Sequence, residues 1–253
     1  MCAAIAATTA SVARADSFSP VNTRPVSINP STPPGELSLQ QILDQMFPGG
    51  GVSADANQSV AGEWAVGVLP ASVLPTLSFE YAGNAGTNIL GLWSGTDTNA
   101  LTMVDLFYGP AVGQNNSPDG FVSAASLTWN ASGTALKVGS ADGCGTAVNC
   151  GTFSGINAYA FGFYLKVPGA NGATTFFTVD ALNSDGSAHA LAIRDGATRD
   201  WAIAFEDGTD NDFNDAVLKV ESLQPVPEPG TLLLFGTGIA GGLARLRRRM
   251  NNA

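Results

Sequence analysis

The densest chemistry in the sequence is the run Phe205-Glu206-Asp207-Gly208-Thr209-Asp210-Asn211-Asp212-Phe213-Asn214-Asp215. Its ten residues from Glu206 to Asp215 hold five carboxylates and two Asn side chains. Like charge at this density is costly unless a cation or hydrogen-bond donors neutralise it. Every candidate ligand is a hard oxygen, the type that Ca²⁺ takes in sets of about six to eight. Glu206, Asp207, Asp210, Asp212, Asn214 and Asp215 are therefore candidate calcium ligands. Asp210, Asp212, Asn214 and Glu221 also fall at positions 1, 3, 5 and 12 of an EF-hand loop. That reading fails because position 6, where the loop needs Gly, is Asp215. The flanks W-A-I-A-F and A-V-L-K-V read as strands, so the expected unit is strand, turn, strand. The alternative is an acidic hairpin without metal, held by Asx-turns and backbone N–H donors.

Other reactive constellations are sparse. His189 is the only histidine, and no G-x-S-x-G nucleophile elbow accompanies it. Its expected role is to close a strand or to hydrogen-bond the acidic hairpin. A His/Cys zinc set is excluded by counting. A glycosidase needs two positioned carboxylates, for which Glu63, Glu80 and Glu206 are the candidates. Trp64, Trp93, Trp129 and Trp201, with Tyr81, Tyr108, Tyr159 and Tyr164, could stack on sugars, although core packing is the commoner use of such side chains.

These residues need a scaffold, and the patterning names it. Runs rich in β-branched and aromatic residues alternate with turn residues from Glu63 onward. The expected strands include Trp64 to Leu69, Leu77 to Tyr81, Leu101 to Tyr108, Phe121 to Trp129 and Ala158 to Val167. Thr174 to Val179, Ala188 to Ile193, Trp201 to Phe205 and Ala216 to Val220 follow. Many short strands with little helix argue for a mainly β fold, an antiparallel β-sandwich or jelly roll. Ser38-Leu39-Gln40-Gln41 is a capping box that starts one short helix, with Leu39, Ile42, Leu43 and Met46 on one face. Phe47-Pro48-Gly49-Gly50-Gly51 stops it.

The chain has 253 residues, 45% hydrophobic and 13% charged, enough for a sizeable core and too apolar for a disordered chain. All 21 acidic residues lie between Asp16 and Glu228, a span with six basic residues, which leaves it at −15. A nucleic-acid partner is excluded, because phosphate binding needs a cationic surface. The basic residues outside that span are Arg14 and a terminal group, Arg245, Arg247, Arg248 and Arg249.

Both ends read as addresses. Residues 1–15 end in Ala13-Arg14-Ala15, an A-x-A cleavage pattern, and are expected to be a signal peptide with a truncated n-region. Residues 16–35, rich in Pro, Ser, Asn and Thr, are expected to be a flexible leader before a β-rich body over 36–222. Val226-Pro227-Glu228-Pro229-Gly230 leads into the apolar run 231–244 and the Arg cluster 245–249. The run has 14 residues, short of the roughly 20 that usually span a bilayer, yet a short segment can span by thinning the bilayer. The arginines resist translocation, so the expected arrangement is a transmembrane helix with the body outside the cell. In an exported protein Cys144 and Cys150 are expected to pair across their short loop.

The segment 226–250 resembles the PEP-CTERM sorting signal of Gram-negative, exopolysaccharide-producing bacteria. The resemblance implies an exosortase as partner, cleavage near Pro227-Glu228-Pro229, and an anchor in the inner membrane that is temporary. A second resemblance covers roughly Leu39 to Glu221. Asn183-Ser184-Asp185-Gly186-Ser187-Ala188-His189, followed by F-E-D-G-T-D-N-D-F-N-D, is similar to a bacterial domain of unknown function common in PEP-CTERM and adhesin-like proteins. Tyr81 to Asn88 and Ala160 to Leu165 are similar to its earlier strands. It implies a β-rich extracellular module with no established activity. The functional expectation is a non-enzymatic surface or matrix protein, binding calcium and in contact with exopolysaccharide. The runner-up is a calcium-dependent carbohydrate-binding module, and a glycoside hydrolase comes third.

Overall fold

Trp201 to Phe205 reads W-A-I-A-F, apolar at every position, which suits a strand covered on both faces. In the computed structural model this strand lies inside a six-stranded sheet. The structure describes Phe18, 22–30, 36–80, 87–109, 123–140, Cys144, 148–170, 172–198, 200–208 and 210–227; for 77–80 it describes the backbone alone.

The six strands run in the order β1 (Gln58–Ser59), β13 (Ala190–Arg194), β14 (Trp201–Phe205), β15 (Ala216–Val220), β4 (Pro75–Glu80) and β7 (Ser123–Ala124). A four-stranded sheet orders β12 (Thr174–Phe177), β11 (Gly162–Val167), β5 (Ile89–Ser94) and β6 (Thr102–Tyr108). A second orders β10 (Gly151–Ser154), β9 (Ala135–Gly139), β8 (Ser126–Trp129) and β3 (Ala71–Val73). β16 (Leu223–Pro225) pairs with β2 (Trp64–Val66). The described pairings are all antiparallel.

Side chains alternate between the faces of a strand, so the strands β13, β14 and β15 of the six-stranded sheet feed two cores. Trp201, Ile203, Phe205, Ala216, Leu218 and Val220 join the main core with Leu90, Leu92, Phe163, Leu165, Leu127 and Trp129 of the four-stranded sheets. The opposite face carries Leu191, Ile193, Ala202, Ala204 and Val217, which pack under the helix α1 (Leu39–Met46). Ala202 and Ala204 are small and leave room for it. The helix buries Leu39, Ile42 and Leu43, each worth about 1.5–3 kcal/mol. Ser38 caps it as expected: its Oγ accepts from the Gln41 N–H while Gln41 Oε1 accepts from the Ser38 N–H.

Several boundaries differ from expectation. The strand expected over Trp64 to Leu69 ends at Val66, and Pro70 beyond it has no N–H for a ladder. The strand expected from Ala158 begins at Gly162. The backbone before it pairs in an isolated bridge, Phe161 exchanging both hydrogen bonds with Trp64, and Ala158 O accepts from Val66 N–H. Side chains take the rest: Ser94 Oγ donates to Ala160 O, and Trp129 Nε1 donates to Ile156 O. The leader is not loose over 22–30. Arg24 Nη1 and Nη2 donate to the two oxygens of Asp180, both at 3.1 Å. Gln58 clamps Val26 from both sides, accepting from its N–H and donating to its C=O. This extended segment is thus held mostly by side-chain hydrogen bonds, with one backbone bond from Asn29 N–H to Asn211 O. Cys144 and Cys150 form a disulfide with Cα atoms 5.4 Å apart.

At its far end the body runs directly into the motif that follows it. The Val226 N–H donates to Glu63 O at 3.0 Å, and the Val226 side chain is buried. Among the described residues no helix is long and apolar enough to cross a membrane. The expected signal peptide and apolar run 231–244 lie outside the described residues.

Candidate functional site

Phe205 pairs with Ala216 as the last rung between β14 and β15, so residues 206–215 form the loop of an antiparallel hairpin. One apolar residue fixes its shape. Phe213 is fully buried in the helix-side core with Leu39, Ile42 and Val217. To reach that core it takes a left-handed backbone, φ 53°, as does Asn211 at φ 61°. Such conformations cost non-glycine residues about 1–3 kcal/mol each. The buried Phe213 also draws its neighbours Asp212 and Asn214 out of solvent.

The loop brings four of the six expected ligands together. Ligand oxygens of Glu206, Asp210, Asp212 and Asp215 all lie within 4.8 Å of one another. Oxygens that share one Ca²⁺ at about 2.4 Å can be at most about 4.8 Å apart, so the spread fits a single ion. The other two expected ligands point elsewhere. Asp207 Oδ2 accepts from Asn88 Nδ2 at 3.0 Å, and Asn214 Nδ2 donates to Leu37 O at 3.0 Å.

Backbone donors neutralise part of this charge. Gly208 N–H donates to Glu206 Oε1 and Phe213 N–H to Glu206 Oε2. Asp207 N–H donates to Asp215 Oδ2 at 2.7 Å. Asp212 is the exception. Its Oδ1 accepts from Asn214 N–H at 3.3 Å, while its Oδ2 is buried with no hydrogen-bond partner. No Lys or Arg pairs with the four carboxylates among the described residues.

Burial without a cation raises proton affinity. Burial pushes Glu206 up to about 7, against the Phe213 N–H, with the nearby Asp210 adding to the rise. Burial also pushes Asp215 up to about 8, with Asp207 the next contributor. Asp212 is raised by burial and then by the Asp210 charge, against the pull of the Asn214 amides. Each of these groups would bind a proton at neutral pH more readily than an ordinary carboxylate, and a divalent cation would remove the reason.

The other sequence candidates are dispersed. His189 Nε2 lies 3.0 Å from Asp185 Oδ2, and its ring stacks on Phe176 at 4.1 Å. Its side chain therefore does not reach the acidic loop, although its C=O accepts from the Glu206 N–H. The histidine contact and the Ser187 N–H hold Asp185 down at about 2. Trp64, Trp93, Trp129 and Trp201 are fully buried, so none is a stacking platform. Trp64 instead packs edge-on against Phe163 and Trp201. Tyr164 is buried as well, with its hydroxyl on Asp105, and Tyr159 is exposed. Tyr81 and the Glu80 side chain lie outside the described residues. Glu63 is fully buried, which removes it as a carboxylate that meets a substrate from solvent.

Sequence reasoning missed three residues around the loop: Asn29, Leu37 and Asn88. Asn29 N–H donates to Asn211 O, and its side chain donates to Asp210 O. All lie far from the loop in sequence, and no local pattern marks them. Phe213 did carry a signal, since an aromatic residue inside an acidic run must go somewhere dry.

Comparison with known proteins gives two family matches. Residues 157–223 match a domain of unknown function (DUF4114), a span that holds the whole acidic loop. Residues 225–249 match the PEP-CTERM protein-sorting motif. No curated protein matches the sequence. Solved structures match at low similarity. A high-affinity mannose-binding lectin of Ralstonia solanacearum is 13% identical at TM-score 0.29, covering 65% of this chain and 96% of that one. The Chromobacterium violaceum lectin CV2L, in complex with alpha-methyl-fucoside, is 11% identical at TM-score 0.30 with the same coverage. SCP-B, of the eqolisin family of peptidases, is 11% identical at TM-score 0.26, covering 64% and 96%. At these values the likenesses carry no argument about function. The sorting motif implies export, temporary membrane anchoring and processing by an exosortase. The chain is a PEP-CTERM protein that carries a domain of unknown function directly before its sorting signal.

Proposed function

We propose that this chain is a non-enzymatic surface or extracellular-matrix protein whose β-sandwich body is stabilised by Ca²⁺ in the β14–β15 loop. The observation that carries the cation is Asp212, a buried carboxylate with an unpartnered oxygen inside a four-carboxylate cluster of the right width. The chemistry of the set is all oxygen, which favours Ca²⁺ over softer metals. An exported location supplies calcium in abundance. The packing of the six-stranded sheet on the four-stranded sheets supports the sandwich reading. A structural or adhesive role is supported by the sorting signal.

Thermal unfolding of the purified full-length chain tests this reading. Millimolar CaCl₂ is expected to raise Tm and EDTA to reverse the rise. An unchanged Tm across that range removes the calcium reading. The second reading is calcium-dependent carbohydrate binding. A polar groove lined by Asn22, Thr23, Val26, Ser187, Ala188 and Asn211 flanks the loop and offers amides and hydroxyls to a neutral sugar. A glycan array with calcium present tests it, and no binding on the array removes it.

A further inference from the structure

The folded body and the sorting motif overlap. The motif match begins at Pro225, and Pro225 is the last residue of β16. It pairs with Trp64 of β2, one rung beyond the Gln224–Ala65 pair. Val226 follows, with its N–H on Glu63 O at 3.0 Å and its side chain buried. Pro227, the next residue, is exposed and opens the Pro227-Glu228-Pro229 stretch. The first two residues of the matched motif are thus part of the fold.

We propose that this seat is an autoinhibitory clasp: the exosortase takes an opened form in which Gln224, Pro225 and Val226 have left β2, so the stability of the β2–β16 pair sets the rate at which the tail is cut. The inference rests on the sorting motif and is independent of the calcium reading. Three observations carry it. First, an enzyme that reads a peptide in extended form engages its main-chain groups and alternate side chains. On the N-terminal side of Pro227 these are already engaged: Glu63 O holds the Val226 N–H, the body covers the Val226 side chain, and β2 holds Gln224 and Pro225 in register. Second, the pair is built to yield. β2 and β16 form a two-stranded sheet of three residues each, apart from the larger sheets. So short a ribbon opens locally while the rest stays folded. Third, the opening has a limit. Leu223 is buried in the main core, and its C=O accepts from Trp201 Nε1 at 3.3 Å. The chain therefore peels back to Gln224, an exposed residue, without unpacking that core. Cleavage of an opened form follows the population of that form when opening is fast.

Pulse-labelling of the full-length chain in exosortase-bearing cells, read as the rate of tail loss, tests the clasp. Both changes lie outside the matched motif. Ala65→Cys with Gln224→Cys sets two cysteines directly opposite each other, at a Cα spacing of about 5 Å that a disulfide spans. With the bridge formed, tail loss is expected to slow about tenfold or more, and a reductant is expected to restore the wild-type rate. Wild type under the same reductant controls for the Cys144–Cys150 bond. A short Gly/Ser insertion between Gln224 and Pro225 keeps the motif whole and takes it off the body, so tail loss is expected to quicken about threefold or more. Hydrogen exchange over 221–227 in the purified chain should follow the same order, slowest in the bridged form and fastest in the inserted one. The clasp is overturned if the bridged chain is cut at the wild-type rate, or if the insertion leaves the rate unchanged. If the wild-type tail persists uncut in those cells, the sorting reading fails and the clasp falls with it.

Discussion

Asp180 and Asp212 are the same residue type at the same 1% exposure, and their surroundings are opposite. Asp180 receives both Arg24 Nη groups at 3.1 Å, together with the Asn22 N–H at 3.3 Å and Asn22 Nδ2 at 3.1 Å. Every hydrogen bond it needs comes from the protein, including a matching charge. Asp212 receives a single backbone N–H at 3.3 Å and faces other carboxylates. A buried charge that the protein itself completes is a staple. A buried charge left open is, on the calcium reading proposed above, a socket for a cation. The comparison separates two uses of one side chain that burial alone would merge.

The largest expected effect breaks the staple. Arg24→Met leaves Asp180 buried without its cation, and should cost about 3–5 kcal/mol of stability by urea denaturation. It should also free the segment 22–30, seen as faster amide exchange there. A smaller loss would mean that Asn22 alone satisfies Asp180. Next, Phe213→Ala removes the anchor that pulls Asp212 inward, at a cost of about 3–5 kcal/mol. It should also weaken calcium binding even though Phe213 is no ligand. Binding at full strength in that variant would show that the loop holds its shape without the anchor.

Filling the socket is expected to stabilise the body by about 2.7 kcal/mol when calcium stands at 100 times its Kd. Asp212→Asn should lose that gain. In EDTA the same variant should be at least as stable as wild type, because it removes an uncompensated charge. Asp180→Asn should destabilise under both conditions, since it breaks a completed pair. Equal behaviour of the two substitutions would erase the distinction between staple and socket.

The smallest expected effect is a pH dependence. Glu206 and Asp215 have native proton affinities raised to about 7 and about 8 by burial, above their unfolded values. The folded metal-free protein therefore holds more protons than the unfolded chain between about pH 4 and 8. Its stability is fullest below the ordinary carboxylate range and declines as pH rises through 7 and 8. Calcium should remove the decline, so the gap in Tm between calcium and EDTA should widen from pH 5 to pH 8. A gap that narrows would place the cation elsewhere.

Much of the frame was legible from local pattern. The capping box at Ser38, the hairpin around 206–215 and the strands Trp201–Phe205 and Ala216–Val220 all follow from side-chain period and turn residues. What was not legible depends on contacts across the chain. The segment 22–30 has the composition of a loose leader, and its order comes from Arg24 and Gln58 reaching partners that composition does not reveal. Trp64 and Trp201 could face outward or inward by sequence, and their edge-on packing against each other in the main core decides the matter. At the site, residue type singled out the acidic run, and four of its six candidate ligands lie together there. It could not tell that Asp207 and Asn214 turn to Asn88 and Leu37.

Val226, the last of the described residues to be hydrogen-bonded into the body, has its own consequence. Four residues, 227–230, separate it from the apolar run that starts at Thr231. Even fully stretched, the five steps from Val226 to Thr231 reach only about 17 Å. The Pro227-Glu228-Pro229 stretch of the sorting motif therefore begins one residue beyond the last described hydrogen bond of the fold, so whatever reads that motif must work within a short reach of the β2–β16 end.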